Sequence, residues 1–213
     1  GVSRGGKRMT VTQLTALGKG RYKVYIEDRP AFVLYRGELN RLGIREGEEI
    51  TEGNLREIQE EILPLRAKKR AMNLLQKREY TTAALREKLR DGEYPEACVE
   101  EAVAYVESYG YVDDLRYARD FIVYNLDRKS RTRIEQDLMR KGIQKDTVRA
   151  VFEELEEEGT RQDEASMIRT LLDKKKYDAK NADAQEKQRM YAFLYRKGFH
   201  ADAINRALLL DIT

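Results

Sequence analysis

Gly110-Tyr111-Val112-Asp113-Asp114-Leu115-Arg116-Tyr117-Ala118 reads as the end of one helix and the start of another. Gly110 can take the left-handed backbone that commonly closes a helix, and Asp113 or Asp114 can accept from the free amides that open the next. Two neighbouring carboxylates also raise acid/base or metal chemistry. Adjacent residues at a helix start point in different directions, however, and no His or Cys lies near, so Gly110, Asp113 and Asp114 are read as a structural junction.

Outward from this junction the chain repeats itself with a period near fifty residues. Leu85, Leu89, Tyr94, Val99 and Val103 share the spacing 4, 5, 5, 4 with Ile134, Leu138, Ile143, Val148 and Phe152, and again with Met190, Leu194, Phe199, Ile204 and Leu208. Ahead of each set lies a further helical signature with spacing 3 and 1: Ala71, Leu74, Leu75; Ala118, Phe121, Ile122; Ile168, Leu171, Leu172. The period predicts three units of three helices each. Such short units bury little apolar surface alone, so they are expected to stack into an elongated, curved tandem array. Turn chemistry agrees: Gly142 and Gly198 fall at equivalent places after the second helix, Gly92 falls one residue early, and Pro95 suits the start of a third helix. The copies differ mainly in the first loop, which leaves Lys174 to Asp183 polar and exposed in the third.

Before the repeats, Met9 to Leu14, Arg21 to Ile26 and Ala31 to Tyr35 alternate with the period of two that marks strands, broken at Gly18-Lys19-Gly20 and Asp28-Arg29-Pro30. Leu55, Ile58 and Ile62 then predict a helix stopped by Pro64. The fold class is thus mainly α, with a small β-rich module in front. The expected divisions are 1–8, a basic, aperiodic lead set aside as an expression remnant or disordered; 9–64, the β-rich module; and 65–110, 111–159 and 160–213, the three repeats.

The 41 basic residues nearly balance the 38 acidic ones, and a net charge of +3 is weak support for a nucleic-acid partner. Local pattern says more. Arg66 to Arg90 holds nine bases and two acids, whereas Asp91 to Gly110 holds six acids and no base; Arg128 to Arg149 holds eight bases and three acids ahead of Glu153, Glu154, Glu156, Glu157 and Glu158. The recurrence favours a shared basic track with an acidic side opposite. Within it, Arg133 and Arg140 stand seven residues apart, pointing away from the core positions Ile134 and Leu138. Arg189 and Arg196 repeat this about Met190 and Leu194, and Lys141 and Lys197 extend it at the helix ends. These six, with Arg86 and Arg90, are the candidate contacts for a filament or DNA.

Catalytic readings are thin. His200 is the only histidine and Cys98 the only cysteine, so an internal disulfide is excluded and neither a triad nor a metal-ligand spacing is formed. No Gly-rich phosphate loop is present, and no apolar run has the length of a membrane span. A cytoplasmic, non-enzymatic, monomeric protein without cofactor or metal is expected. A compact helix-turn-helix transcription regulator and a protein-only solenoid scaffold are the other classes such a helical, charged chain could represent; three like units argue against the first.

Over residues 65–213 the chain resembles the RecX family. The resemblance rests on Gly-Tyr-Val-Asp-Asp-Leu-Arg-Tyr-Ala at 110–118, on Leu138-Met139-Arg140-Lys141-Gly142-Ile143 and on the triple three-helix repeat. It implies a regulator that lies along the RecA recombinase filament on single-stranded DNA and limits filament extension, strand exchange, ATPase and coprotease activity, with consequences for recombination, DNA repair and the SOS response. The third copy departs most, through its long loop and the lack of an Asp-Asp junction.

Overall fold

Three antiparallel strands in the order β1-β2-β3 open the chain: β1 (Val11–Gly18), β2 (Arg21–Ile26) and β3 (Arg29–Tyr35). The second hairpin turns on Glu27 and Asp28, both at positive φ (50° and 62°), the geometry that suits the right-handed twist of the flanking strands. Val11, Val24, Ile26, Phe32 and Leu34 are buried. The computed structural model describes residues 9–209; the lead at 1–8 set aside above and the last four residues lie outside the described residues.

A short α1 (Arg36–Leu42) ends at Gly43, in the left-handed region at φ 65°. The next helix departs from expectation. It does not stop at Pro64 but runs from α2 (Glu52–Glu57) through a π-helical turn (Ile58–Ile62) directly into α3 (Leu63–Lys77). Leu63 donates its N–H to the Ile58 carbonyl, five residues back, one position before the proline. The wider turn moves the preceding coil away from the proline ring, which in an ordinary helix would clash four residues back, and Pro64 has no N–H of its own to satisfy.

The three predicted three-helix units follow. They are α3 with α4 (Thr82–Asp91) and α5 (Glu96–Ser108); α6 (Asp114–Asn125), α7 (Arg131–Arg140) and α8 (Lys145–Glu157); and α9 (Glu164–Lys174), α10 (Ala184–Arg196) and α11 (Ala201–Leu208). Of the fifteen positions in the 4, 5, 5, 4 pattern, Tyr94 and Met190 are half-buried and the others are buried. Each second helix begins on a side-chain cap: Thr81, Ser130 and Asp183 accept from the N–H groups of Ala84, Arg133 and Glu186 at 3.1, 3.2 and 2.8 Å.

The chain forms two compact units, Gly1–Val112 and Asp113–Thr213. In the first, the sheet and the first three-helix repeat share one apolar cluster reaching from Val11 to Val112. Arg66 ties them further: its guanidinium donates to the Val33 carbonyl at 3.2 Å and to the Glu38 carboxylate. In the second unit, repeats two and three keep separate apolar clusters, one from Ala118 to Leu155 and the other from Ile168 to Leu208. Polar contacts join them.

Candidate functional site

The joint between repeats two and three is built around Ser130 and Gln162. Ser130 is buried, and its hydroxyl accepts the Arg133 N–H as the cap of α7 while donating to the Lys197 carbonyl at 2.6 Å, at the end of α10. Gln162 donates its amide to the carbonyls of Leu126 and Lys129 and accepts the Arg131 N–H at 3.0 Å. Gly198 allows the approach. Its φ is 95°, and a Cβ there would lie 2.5 Å from Ser130 Oγ and 3.1 Å from Thr132 Cβ. Both the backbone and the space require glycine.

Beside this joint opens a cleft of about 890 Å³. Arg128, Lys129, Arg133, Arg161, Lys174, Arg196 and Lys197 line it, against only Asp127 and Asp163. Both carboxylates are engaged, Asp127 with Arg128 at 3.8 Å and Asp163 as the cap that accepts the Ser166 N–H at 3.0 Å. Among the described residues Arg161, Lys174 and Arg196 form no ion pair, and all three are exposed. Leu126, Met167 and Leu171, each half-buried, give the cleft an apolar floor. Its sign of charge suits an anion, and its walls lower the effective dielectric around one.

The arginine ladder is divided by this geometry. Arg133 and Arg196 line the cleft; Arg140 and Arg189 do not. Arg140 pairs with Asp137, which also holds Lys129 at 2.6 Å and Arg133 at 3.5 Å. Burial acts to raise the Asp137 carboxyl, but the Lys129 hydrogen bond and the charges of Lys129, Arg140 and Arg133 outweigh it and hold it below its ordinary value. Arg189 is exposed on α10. Lys197 lies over the Phe193 ring at 5.2 Å and Lys141 over the Phe121 ring at 5.7 Å. Arg161 and Lys174 also line the cleft but are not among the candidates from the sequence: neither falls in the repeat register, and their place is visible only once the linker and α9 fold beside α7.

In the first unit the bases and acids that alternate along the sequence meet in space. Arg86 grips Glu100 at 2.9 and 3.3 Å, Lys68 meets Glu101 at 3.1 Å, and Arg90 holds both Glu96 and Glu87, at 2.7 and 2.8 Å. Hydrogen bonding to Glu96 and then Glu87 raises the Arg90 guanidinium above its already high value. A basic side facing away from an acidic side is therefore not what Arg86 and Arg90 form; α4 and α5 neutralise one another there. Arg131 with Glu156 at 3.0 Å does the same between α7 and α8.

At the junction Gly110 has φ 70°, the Tyr111 N–H returns to the Val106 carbonyl at 2.9 Å, and Asp113 accepts the Arg116 N–H at 3.1 Å. The third repeat has the same device in different letters. Gly159 has φ 88°, the Thr160 N–H returns to the Leu155 carbonyl at 2.8 Å, Asp163 caps α9 and Glu164 follows it. Glu164 also accepts the His200 N–H at 2.7 Å and sits 3.1 Å from its ring Nδ1, which places the histidine in a structural contact between α9 and α11.

Comparison with known proteins follows these divisions. Family models for the first, second and third three-helix domains of RecX match residues 67–105, 113–151 and 162–208. A regulatory protein RecX from Caldanaerobacter subterraneus subsp. tengcongensis is 30% identical over 204 residues, covering 95% of this chain and 100% of that relative. The chain belongs to the RecX family. A second RecX regulatory protein, from Clostridioides difficile, is 28% identical over 88% of each chain. Among solved structures, a regulatory protein RecX matches with a TM-score of 0.62 at 21% identity over 95% of this chain and 100% of its own, and RecX from Lactobacillus salivarius with 0.57 at 19% over 71% and 98%. These two share the fold. RecX-family proteins are regulators, and among the described residues no helix is long and apolar enough to cross a membrane.

Proposed function

We propose that this chain is a RecX-type negative regulator of the RecA recombinase, acting without catalysis, as a cytoplasmic monomer, on the recombinase filament assembled on single-stranded DNA. It limits filament extension and with it strand exchange, ATP hydrolysis and coprotease activity. The observation that carries this reading is the match of all three three-helix units to the corresponding RecX domains. The basic cleft of the second unit supports a contact with phosphates, because Arg133, Arg161, Lys174 and Arg196 there are exposed and Arg161, Lys174 and Arg196 are not neutralised by protein carboxylates. Guanidinium groups suit such partners through their planar, multiple donors.

The test is the rate of RecA ATP hydrolysis on single-stranded DNA, with and without this protein, across a salt series. The rate is expected to fall when the protein is added, with the fall weakening as salt rises. An unchanged rate at the lowest salt would overturn the reading.

A further inference from the structure

We propose that the cleft in the second unit is a site for one nucleoside phosphate, with the base over Met167 and Leu171 and the phosphate among Arg133, Arg161 and Arg196. This rests on the reading above that the protein meets nucleic acid, and it names what the cleft recognises. A bare phosphate track needs only exposed cations along a surface. Here the cations surround a concavity of about 890 Å³ whose floor is apolar, within the size range of pockets that enclose small ligands. The Ser130–Lys197 hydrogen bond of 2.6 Å ties the elements that carry Arg133 and Arg196, three residues from the first arginine and one residue from the second. Met167 and Leu171 come from α9, whose exposed Thr170 also lines the cleft with its hydroxyl turned back to the Ser166 carbonyl at 3.1 Å. Cations at the rim and an apolar floor match a ligand that is anionic at one end and flat and weakly polar at the other. A nucleotide in a single strand or a free nucleotide has that chemistry; a paired base in a duplex has its face covered.

The experiment measures binding of the full chain to a fluorescent short oligothymidylate, to an abasic strand of equal length and charge, and, by competition, to free thymidine monophosphate. Wild type is expected to bind the base-bearing strand about tenfold more tightly than the abasic one, the order expected for burying one base face on an apolar floor. Thr170→Trp, which fills the cleft from an exposed position, should erase that difference and weaken the abasic strand as well, because base and phosphate share the one cleft. Met167→Ala, which trims the floor, should shrink the difference should the first variant misfold by circular dichroism. Competition by the free nucleotide would identify it as an occupant, and competition by strand alone would assign the site to DNA; either supports the cleft. Equal binding of both strands by wild type would overturn the nucleoside site and leave the phosphate contact standing. No binding of any of the three at low salt would overturn the nucleoside site and take DNA contact away from the proposed function as well.

Discussion

A Cβ on residue 198 would lie 2.5 Å from Ser130 Oγ, whereas one on residue 159, at nearly the same φ, would meet nothing within 4 Å. Comparing the two therefore separates crowding from backbone strain. Gly159→Ala should cost about 1–2 kcal/mol, the penalty of a left-handed L-residue. Gly198→Ala should cost at least about 1 kcal/mol more, as the Ser130 link to Lys197 is displaced; equal losses in urea unfolding would show that the joint yields freely. At the junction, Asp113→Ala should remove about 1 kcal/mol, because Asp113 holds the Arg116 N–H. Melting temperatures would check the loss. Which of the two caps the helix was not legible in the sequence, since either carboxylate fits; the extended backbone of Asp113, φ −156°, decides it.

Within α7, Asp137 is the shared counter-charge of Lys129, Arg133 and Arg140. Its folded value is depressed, so the stability it contributes is present above its ordinary value near 3.8 and is lost as pH falls through the lower folded value. Asp137→Asn should accordingly be less stable than wild type at neutral pH, with the gap narrowing below about 3.8; a constant gap would contradict the assignment. The same variant leaves three cations without their acid, so its log–log salt slope for single-stranded DNA should steepen by about 1. Helical periodicity made the elements legible, down to the three matching core sets, because burial on one face of a helix dictates it. Pro64 misled because proline usually ends a helix, and the π turn before it is a backbone adjustment with no letter of its own. Charge blocks misled for a related reason: α4 bases and α5 acids are separate in sequence but opposite in space, and only packing turns Arg86 and Arg90 toward Glu100 and Glu96.

For the whole molecule, family membership and the repeat were readable in the residues, whereas the lining of the proposed cleft was readable in part. Arg133 and Arg196 were reached from the repeat register; Arg161 and Lys174 lie outside it and join them only through folding of the linker and α9. This yields a sharp contrast between two sets of charge reversals on exposed residues, neither of which removes core packing. The most direct measurement is the affinity of the folded protein for RecA filaments on single-stranded DNA across a salt series, for Arg133→Glu/Arg161→Glu/Arg196→Glu beside Arg140→Glu/Arg189→Glu. If the cleft meets phosphates, the triple variant should lose at least about tenfold in affinity and its salt slope should fall by about 2, roughly 0.7 for each contact, while the double variant changes much less. Wild-type affinity and slope in the folded triple variant would contradict the claim that this cleft is where the protein engages its filament.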